Sequence, residues 1–180
     1  NLLVTDDDMA EPRSEIHAAR IGDTIYTAGG IGFFRTLSSC AAFDTAKRQW
    51  SECPDLPRSL HHVAMAADGE RVYASGGYVA LPFQQDQDAA LFAYDPAKDQ
   101  WSELEKLPHP IGQHTMSYRD GYLYLVGGQK GAAELSTVWA YNIAAGTWAK
   151  KAPMPTPRHS HATAMAGDML YVTGGRSAAL

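Results

Sequence analysis

The sequence predicts an all-β chain built from repeated four-stranded antiparallel sheets, and three spaced landmarks carry that prediction. Double glycines fall at Gly29-Gly30, Gly76-Gly77, Gly127-Gly128 and Gly174-Gly175. Tryptophans fall at Trp50, Trp101 and Trp148, each seven residues after an aromatic: Phe43, Tyr94 and Tyr141. Each of these tryptophans is followed by the next double glycine after the same 26 residues, from Trp50 to Gly76, Trp101 to Gly127 and Trp148 to Gly174. A constant period of about 50 residues marks an array of like units and has to be settled before any single residue is weighed.

Each unit opens on a proline-rich step, Glu11-Pro12-Arg13, Leu56-Pro57-Arg58, Pro108-His109-Pro110 or Thr156-Pro157-Arg158. A first strand and a tight turn follow, as in His17 to Asp23. A short apolar strand then returns and closes on the glycine pair: 24–28, 71–75, 122–126 and 169–173. After a loop of variable length comes a strand ending in the aromatic, a turn such as Asp95-Pro96-Ala97-Lys98-Asp99-Gln100, and the Trp strand. A lone four-stranded sheet cannot bury both faces, so the units must stack on one another, and radial stacking gives a β-propeller. The glycines suit a strand that meets close backbone neighbours, and the Tyr and Trp rings suit the gap between adjacent sheets.

The succession of Pro-Arg, Gly-Gly, Tyr-Asp and Trp resembles the kelch repeat, most fully from Met154-Pro155-Thr156-Pro157-Arg158 to Gly174-Gly175. The departures are His109-Pro110-Ile111 in place of Pro-Arg, Phe43 in place of Tyr, and Asn142 in place of Asp; none disturbs the spacing. The resemblance implies a kelch-type β-propeller of about three and a half blades from a larger, six-bladed ring. Its repeats would run approximately 12–56, 57–108 and 109–155, with an incomplete one at 156–180. Residues 1–11 read as the outer strand of a preceding blade, and self-association of two chains is the other way to complete the ring.

Composition narrows the partners. A formal net charge of -5 and a pI near 5.7 leave no basic stripe for a phosphate backbone, which argues against nucleic acid. No apolar stretch approaches the roughly 18 residues that span a bilayer, so no membrane partner is expected. Gly-x-Ser-x-Gly, His-Glu-x-x-His, Walker-type loops and zinc-type Cys/His spacing are all missing from the 180 residues, and neither a cofactor nor a metal is implied. The resemblance therefore implies a binding scaffold, with a protein or peptide, or a small polar or sugar ligand, as its partner. The alternative is a carbohydrate-active propeller of the sialic acid mutarotase or galactose oxidase kind.

Binding is expected where the units differ, in the loops after the glycine pairs. The span from the second glycine to the aromatic is 13 residues in the first and third units and 17 in the second. Candidate contact residues are Phe33, Phe34 and Arg35 in the first loop, Tyr78, Phe83 and Gln84 in the second, Gln129 and Lys130 in the third, and Arg176 in the fourth. Aromatics and guanidinium groups dominate binding hot spots. Phe33 and Phe34 have a second reading, as caps on the apolar edge of a blade.

Three repeated features read as structural. His17, His62, His114 and His161 are aligned at one repeat position before the hairpin, where they serve the blade or, in the sharper alternative, form a ring of imidazoles around a central channel that binds an anion or metal. Arg13, Arg58 and Arg158 are assigned to hydrogen bonds from blade to blade. If Phe43 faces Trp50 across a hairpin, Cys40 faces Cys53; a cross-strand bond needs an unusually short approach, and free thiols are expected.

Overall fold

The structure is a computed structural model that describes residues 8–79 and 86–177. Sixteen strands were found among these residues, and they are all antiparallel. The first blade holds β1 (Ala18–Ile21), β2 (Thr24–Ala28), β3 (Cys40–Asp44) and β4 (Gln49–Cys53), in that order. The second holds β5 (Ala64–Ala67), β6 (Val72–Ser75), β7 (Leu91–Asp95) and β8 (Gln100–Glu103). The third holds β9 (Thr115–Arg119), β10 (Tyr122–Val126), β13 (Val138–Asn142) and β14 (Thr147–Lys151). A small ribbon, β11 (Gln129–Lys130) with β12 (Ala133–Glu134), rises from the third loop, and β15 (Ala162–Ala166) pairs β16 (Met169–Thr173). The expected meander is present in three complete sheets and one hairpin.

The turns follow from their residues. Asp120 and Gly121, at φ 48° and 81°, form a two-residue connection whose twist matches the strands it joins. After each outer aromatic an Asp or Asn closes the next turn with its side chain: Asp44 accepts from the amides of Ala46 and Lys47, and Asp95 accepts from that of Ala97. Asn142 accepts from Ala145 in the same way, which is why it replaces Asp without disturbing the spacing.

Alternation along the strands places two cores between blades. In β6 and β7, Val72, Ala74, Phe92 and Tyr94 face the first blade and pack with Ala28, Cys40, Leu60 and Trp101. Tyr73, Leu91 and Ala93, on the opposite face, pack against Leu123, Leu125 and Tyr141 of the third blade. The first strands β1, β5, β9 and β15 are neighbours in that order and therefore line the axis; β1, β5 and β15 are rich in alanine, which suits the inner taper, while β9 reads Thr-Met-Ser-Tyr-Arg. The aromatic and the Trp of each blade are directly paired, with ring centroids 5.0 Å apart for Phe43–Trp50, 5.2 Å for Tyr94–Trp101 and 4.8 Å for Tyr141–Trp148. The Trp101 indole also donates to the Pro54 carbonyl of the preceding blade at 2.7 Å.

The glycine pairs are where consecutive blades touch. In the first three pairs the second glycine donates its amide to a carbonyl in the next blade's approach loop: Gly30 to Leu60 at 2.8 Å, Gly77 to Ile111 and Gly128 to Arg158, both at 2.9 Å. A Cβ on the first glycine would lie 2.3 to 2.5 Å from those same carbonyl oxygens. Every glycine in the pairs also has positive φ.

Three expectations are corrected by this geometry. The arginines bond within their own blades: Arg13 Nη1 donates to the carbonyls of Gly29 and Ser39, Arg158 to that of Gly174, and Arg58 pairs with Asp88 at 2.9 Å. The contact between blades is already made by backbone, so the guanidinium instead ties each approach loop to its own sheet. Cys40 and Cys53 form a disulfide rather than free thiols, because the hairpin register places their Cα atoms 5.1 Å apart, within the reach of the bond.

The histidines, finally, do not share one position. Ile16, Val63, His114 and His161 precede the first strands in register, while His62 sits one residue earlier, level with Glu15, and His17 one later. No fixed count from the Pro-Arg step reaches that register position, because the approach loops differ in length: it lies three residues after Arg13 and Arg158 and five after Arg58. His114 Nε2 meets Ser75 of the preceding blade at 2.9 Å, and His161 Nε2 meets Thr115 of the preceding blade at 3.1 Å.

Three measurements test this account. Gly127→Ala, whose Cβ would sit 2.5 Å from the Arg158 oxygen, is expected to cost at least about 2 kcal/mol in denaturant melts, against about 1 kcal/mol for Gly167→Ala, which is equally left-handed but unobstructed. Thiol titration in denaturant should find no reactive thiol until reductant is added and two afterwards, with reduction costing about 3 kcal/mol by loop-closure arithmetic. Burial pushes His114 down to about 3 and His161 to about 4. The unfolded chain therefore takes up these protons first, so stability should be full above about pH 6.5 and fall progressively below it, before carboxylate titration begins near pH 4.

Candidate functional site

In each antiparallel blade the loop after the second strand and the approach loop before the first strand lie at the same edge. Isolated bridges tie them together: Ser14 with Ile31, His61 with Tyr78, Gly112 with Gln129 and His159 with Arg176. The expected contact loops therefore share one edge of the array with the axial histidines, and the tight turns occupy the other.

The first loop is a small hairpin. Ile31 bridges Thr36, the Gly32 amide donates to the Arg35 carbonyl at 2.9 Å, and buried Leu37 anchors the base. Phe33 and Phe34 form its tip, 89% and 79% exposed, with ring centroids 4.4 Å apart in an edge-to-face arrangement. They do not cap a blade edge, the second of the two readings raised by the sequence. Arg35 forms an ion pair with Glu11, whose carboxyl is held below its ordinary range chiefly by the Ser39 hydroxyl and also by Arg35.

The second loop behaves differently. Tyr78 is 1% exposed, stacks on His61 at 5.3 Å, meets the edge of His62 at 5.5 Å, and covers Gly112 of the next blade. Burial raises its hydroxyl pKa. Expected on the contact surface, it is instead packing between blades. Phe83 and Gln84 lie outside the described residues. Gln87, unremarked in the sequence, clasps the third loop: its Nε2 donates to the Gln129 carbonyl at 2.8 Å, and its Oε1 accepts from the Gly131 amide at 2.7 Å. Gln129 is thus partly buried in this clasp, while Lys130 is exposed at the ribbon tip. Arg176 is exposed beyond its bridge to His159.

Nearer the axis the four approach loops meet around a cleft of about 180 Å³, lined by Glu15 and His17, His62, Gln113 and His114, and His161. Glu15, His62, Gln113 and Ser160 share a repeat position and a left-handed backbone, with φ between 51° and 55°. Their side chains are hydrogen-bonded as well: His62 Nε2 lies 2.8 Å from Glu15 Oε2, and Ser160 donates to Gln113 Oε1 at 2.9 Å. Desolvation lowers the pKa of His17 and of His62. Sequence reasoning found the histidines but missed Glu15, Gln113 and Ser160, because left-handed backbone at non-glycine residues leaves no sequence mark. Among the described residues no group of three or more His, Cys, Asp or Glu side chains is arranged to hold a metal ion.

Comparison with known proteins agrees with the repeat geometry. The family model for the KLHDC2/KLHL20/DRC7 Kelch-repeats domain matches residues 18–179. Kelch-like protein terF of Aspergillus terreus is 30% identical over 125 residues, covering 65% of this chain and 27% of its own length. Beta-scruin of Limulus polyphemus is 27% identical over 131 residues (67% and 14%), and Kelch-like protein 26 of Danio rerio is 29% identical over 121 residues (67% and 20%). The aligned region is thus between 14% and 27% of the length of these relatives. Double glycines that seat the next blade's carbonyl, paired aromatic and Trp strands, and a family match over nearly the whole chain agree, and this chain belongs to the kelch-repeat family.

Proposed function

We propose that this chain is a binding scaffold and that its loop edge engages a segment of another protein, with Phe33 and Phe34 as the anchor. The observation that carries the reading is the exposure of two phenylalanines in edge-to-face contact on a hairpin braced by buried Leu37 and by the Arg35–Glu11 pair. Holding large apolar rings in water is unfavourable unless a partner covers them, and a braced tip loses little conformational entropy on binding. Lys130 and Arg176, exposed on the same edge, add polar rim contacts. Kelch-like proteins and scruin among the relatives support a scaffold reading rather than a catalytic one.

A small polar ligand such as a carboxylated sugar is the other reading, and it needs an available guanidinium. Arg35 is already neutralised by Glu11, so the first loop offers an aromatic pair more than an anion site. The test is a photo-crosslinking residue at position 34, followed by identification of the captured peptide and measurement of its affinity. The Phe33→Ala/Phe34→Ala double variant should bind that peptide about 30-fold or more weakly, with unchanged thermal stability. Unaltered affinity would remove the aromatic anchor, and capture of a second copy of this chain would assign the edge to self-association.

A further inference from the structure

The axial cleft has a chemical bias that the loop tips do not share. Glu15 is the one formally charged side chain among its lining residues, since burial keeps His17, His62, His114 and His161 neutral near pH 7. Its donors are committed elsewhere. The Ser160 hydroxyl is spent on Gln113, and the Gln113 amide is turned to the Tyr78 hydroxyl. His61 and His62 face each other through their Nδ1 atoms at 2.6 Å, and one tautomer satisfies both contacts: His61 donates to His62, and His62 donates from Nε2 to Glu15. That chain directs N–H groups toward one carboxylate oxygen, Glu15 Oε2, on a side chain that is half exposed. The Nδ1 atoms of His114 and His161 are also buried without a hydrogen-bond partner. Arg158, whose charge is felt at His161, is held on the Gly174 carbonyl.

We propose that this cleft binds a primary ammonium group, supplied by a lysine side chain of the protein segment held at the loop edge. An ammonium carries three donors and a positive charge, which match a carboxylate oxygen and imidazole lone pairs. The volume of about 180 Å³ equals the liquid share of roughly six waters, enough for the end of a lysine chain. A carboxylate or phosphate would meet the Glu15 charge with no cation on the lining to offset it. The lysine assignment rests on the loop-edge reading above; the ammonium site itself does not.

The experiment is a titration of the chain with n-butylammonium at pH 7.5, followed through the imidazole Cε1 proton resonances of His17 and His62. Saturable shifts are expected with butylammonium, and none with butanol or acetate at equal concentration. Glu15→Gln, a half-exposed and nearly isosteric change, should weaken binding at least tenfold with unchanged melting temperature. Equal shifts with butanol or acetate, or undiminished binding by Glu15→Gln, would overturn the site. The peptide acetyl-Ala-Lys-Ala-amide should bind at least tenfold more tightly than butylammonium; equal or weaker binding would overturn the lysine source and leave a free amine as the ligand. Butylammonium makes no use of Phe33 or Phe34, so failure here and failure of the aromatic anchor are read separately.

Discussion

The contact on which the rest of the structure depends is a backbone hydrogen bond between blades, from the second glycine of each of the first three pairs to a carbonyl in the next approach loop. It is short and clear of side chains because the first glycine leaves the space that a Cβ would fill. Sheet-to-sheet distance near the axis is set by that approach, and everything farther out follows from it. The alanines of β1, β5 and β15 fit the narrow end of the wedge, and paired aromatic and Trp side chains fit the wide end. At Gly174 no following loop lies against the glycine among the described residues, and the same backbone conformation persists there without the contact. The conformation is therefore a property of the blade, which the neighbour then uses.

Because blade contacts are made by backbone and by the two faces of each sheet, the loops after the second strands are released from structural duty to different degrees. The first loop retains only its base and presents two phenylalanines outward. The second and third are joined through Tyr78 and the Gln87 clasp, so part of what looks like variable sequence is spent on joining blades. Binding capacity is accordingly uneven around the edge. Under the proposed reading, the exposed tip and the polar axial cleft would hold an extended segment at two points.

Several residues were legible by type and misread by place. The histidines looked equivalent as one imidazole before each hairpin, but the hydrogen-bond register separates them into three levels. One residue of offset decides whether an imidazole at the cleft also bonds the preceding blade, as His114 and His161 do, or pairs with Glu15, as His62 does. The Pro-Arg arginines were correctly read as structural, yet they turn inward to their own glycine carbonyls or acids. Cys40 and Cys53 were correctly opposed by counting from Phe43 and Trp50, while the bond itself depended on a Cα separation that counting does not supply.

The sequence alone determined the fold, the family and the strand order, because period, glycine pairs and aromatic spacing are local properties that every unit repeats. It also marked the first loop as a candidate contact, since Phe33, Phe34 and Arg35 are residue types common at binding hot spots. Only the tertiary structure decided which side chains meet: that Tyr78 is buried, that Arg35 is neutralised by Glu11, that Glu15 and four histidines from successive blades surround one cleft. Those meetings join residues far apart in the sequence through loops of unequal length, and small differences in length move a side chain from one level to the next. Repetition fixes the frame, and the register of each approach loop fixes the chemistry.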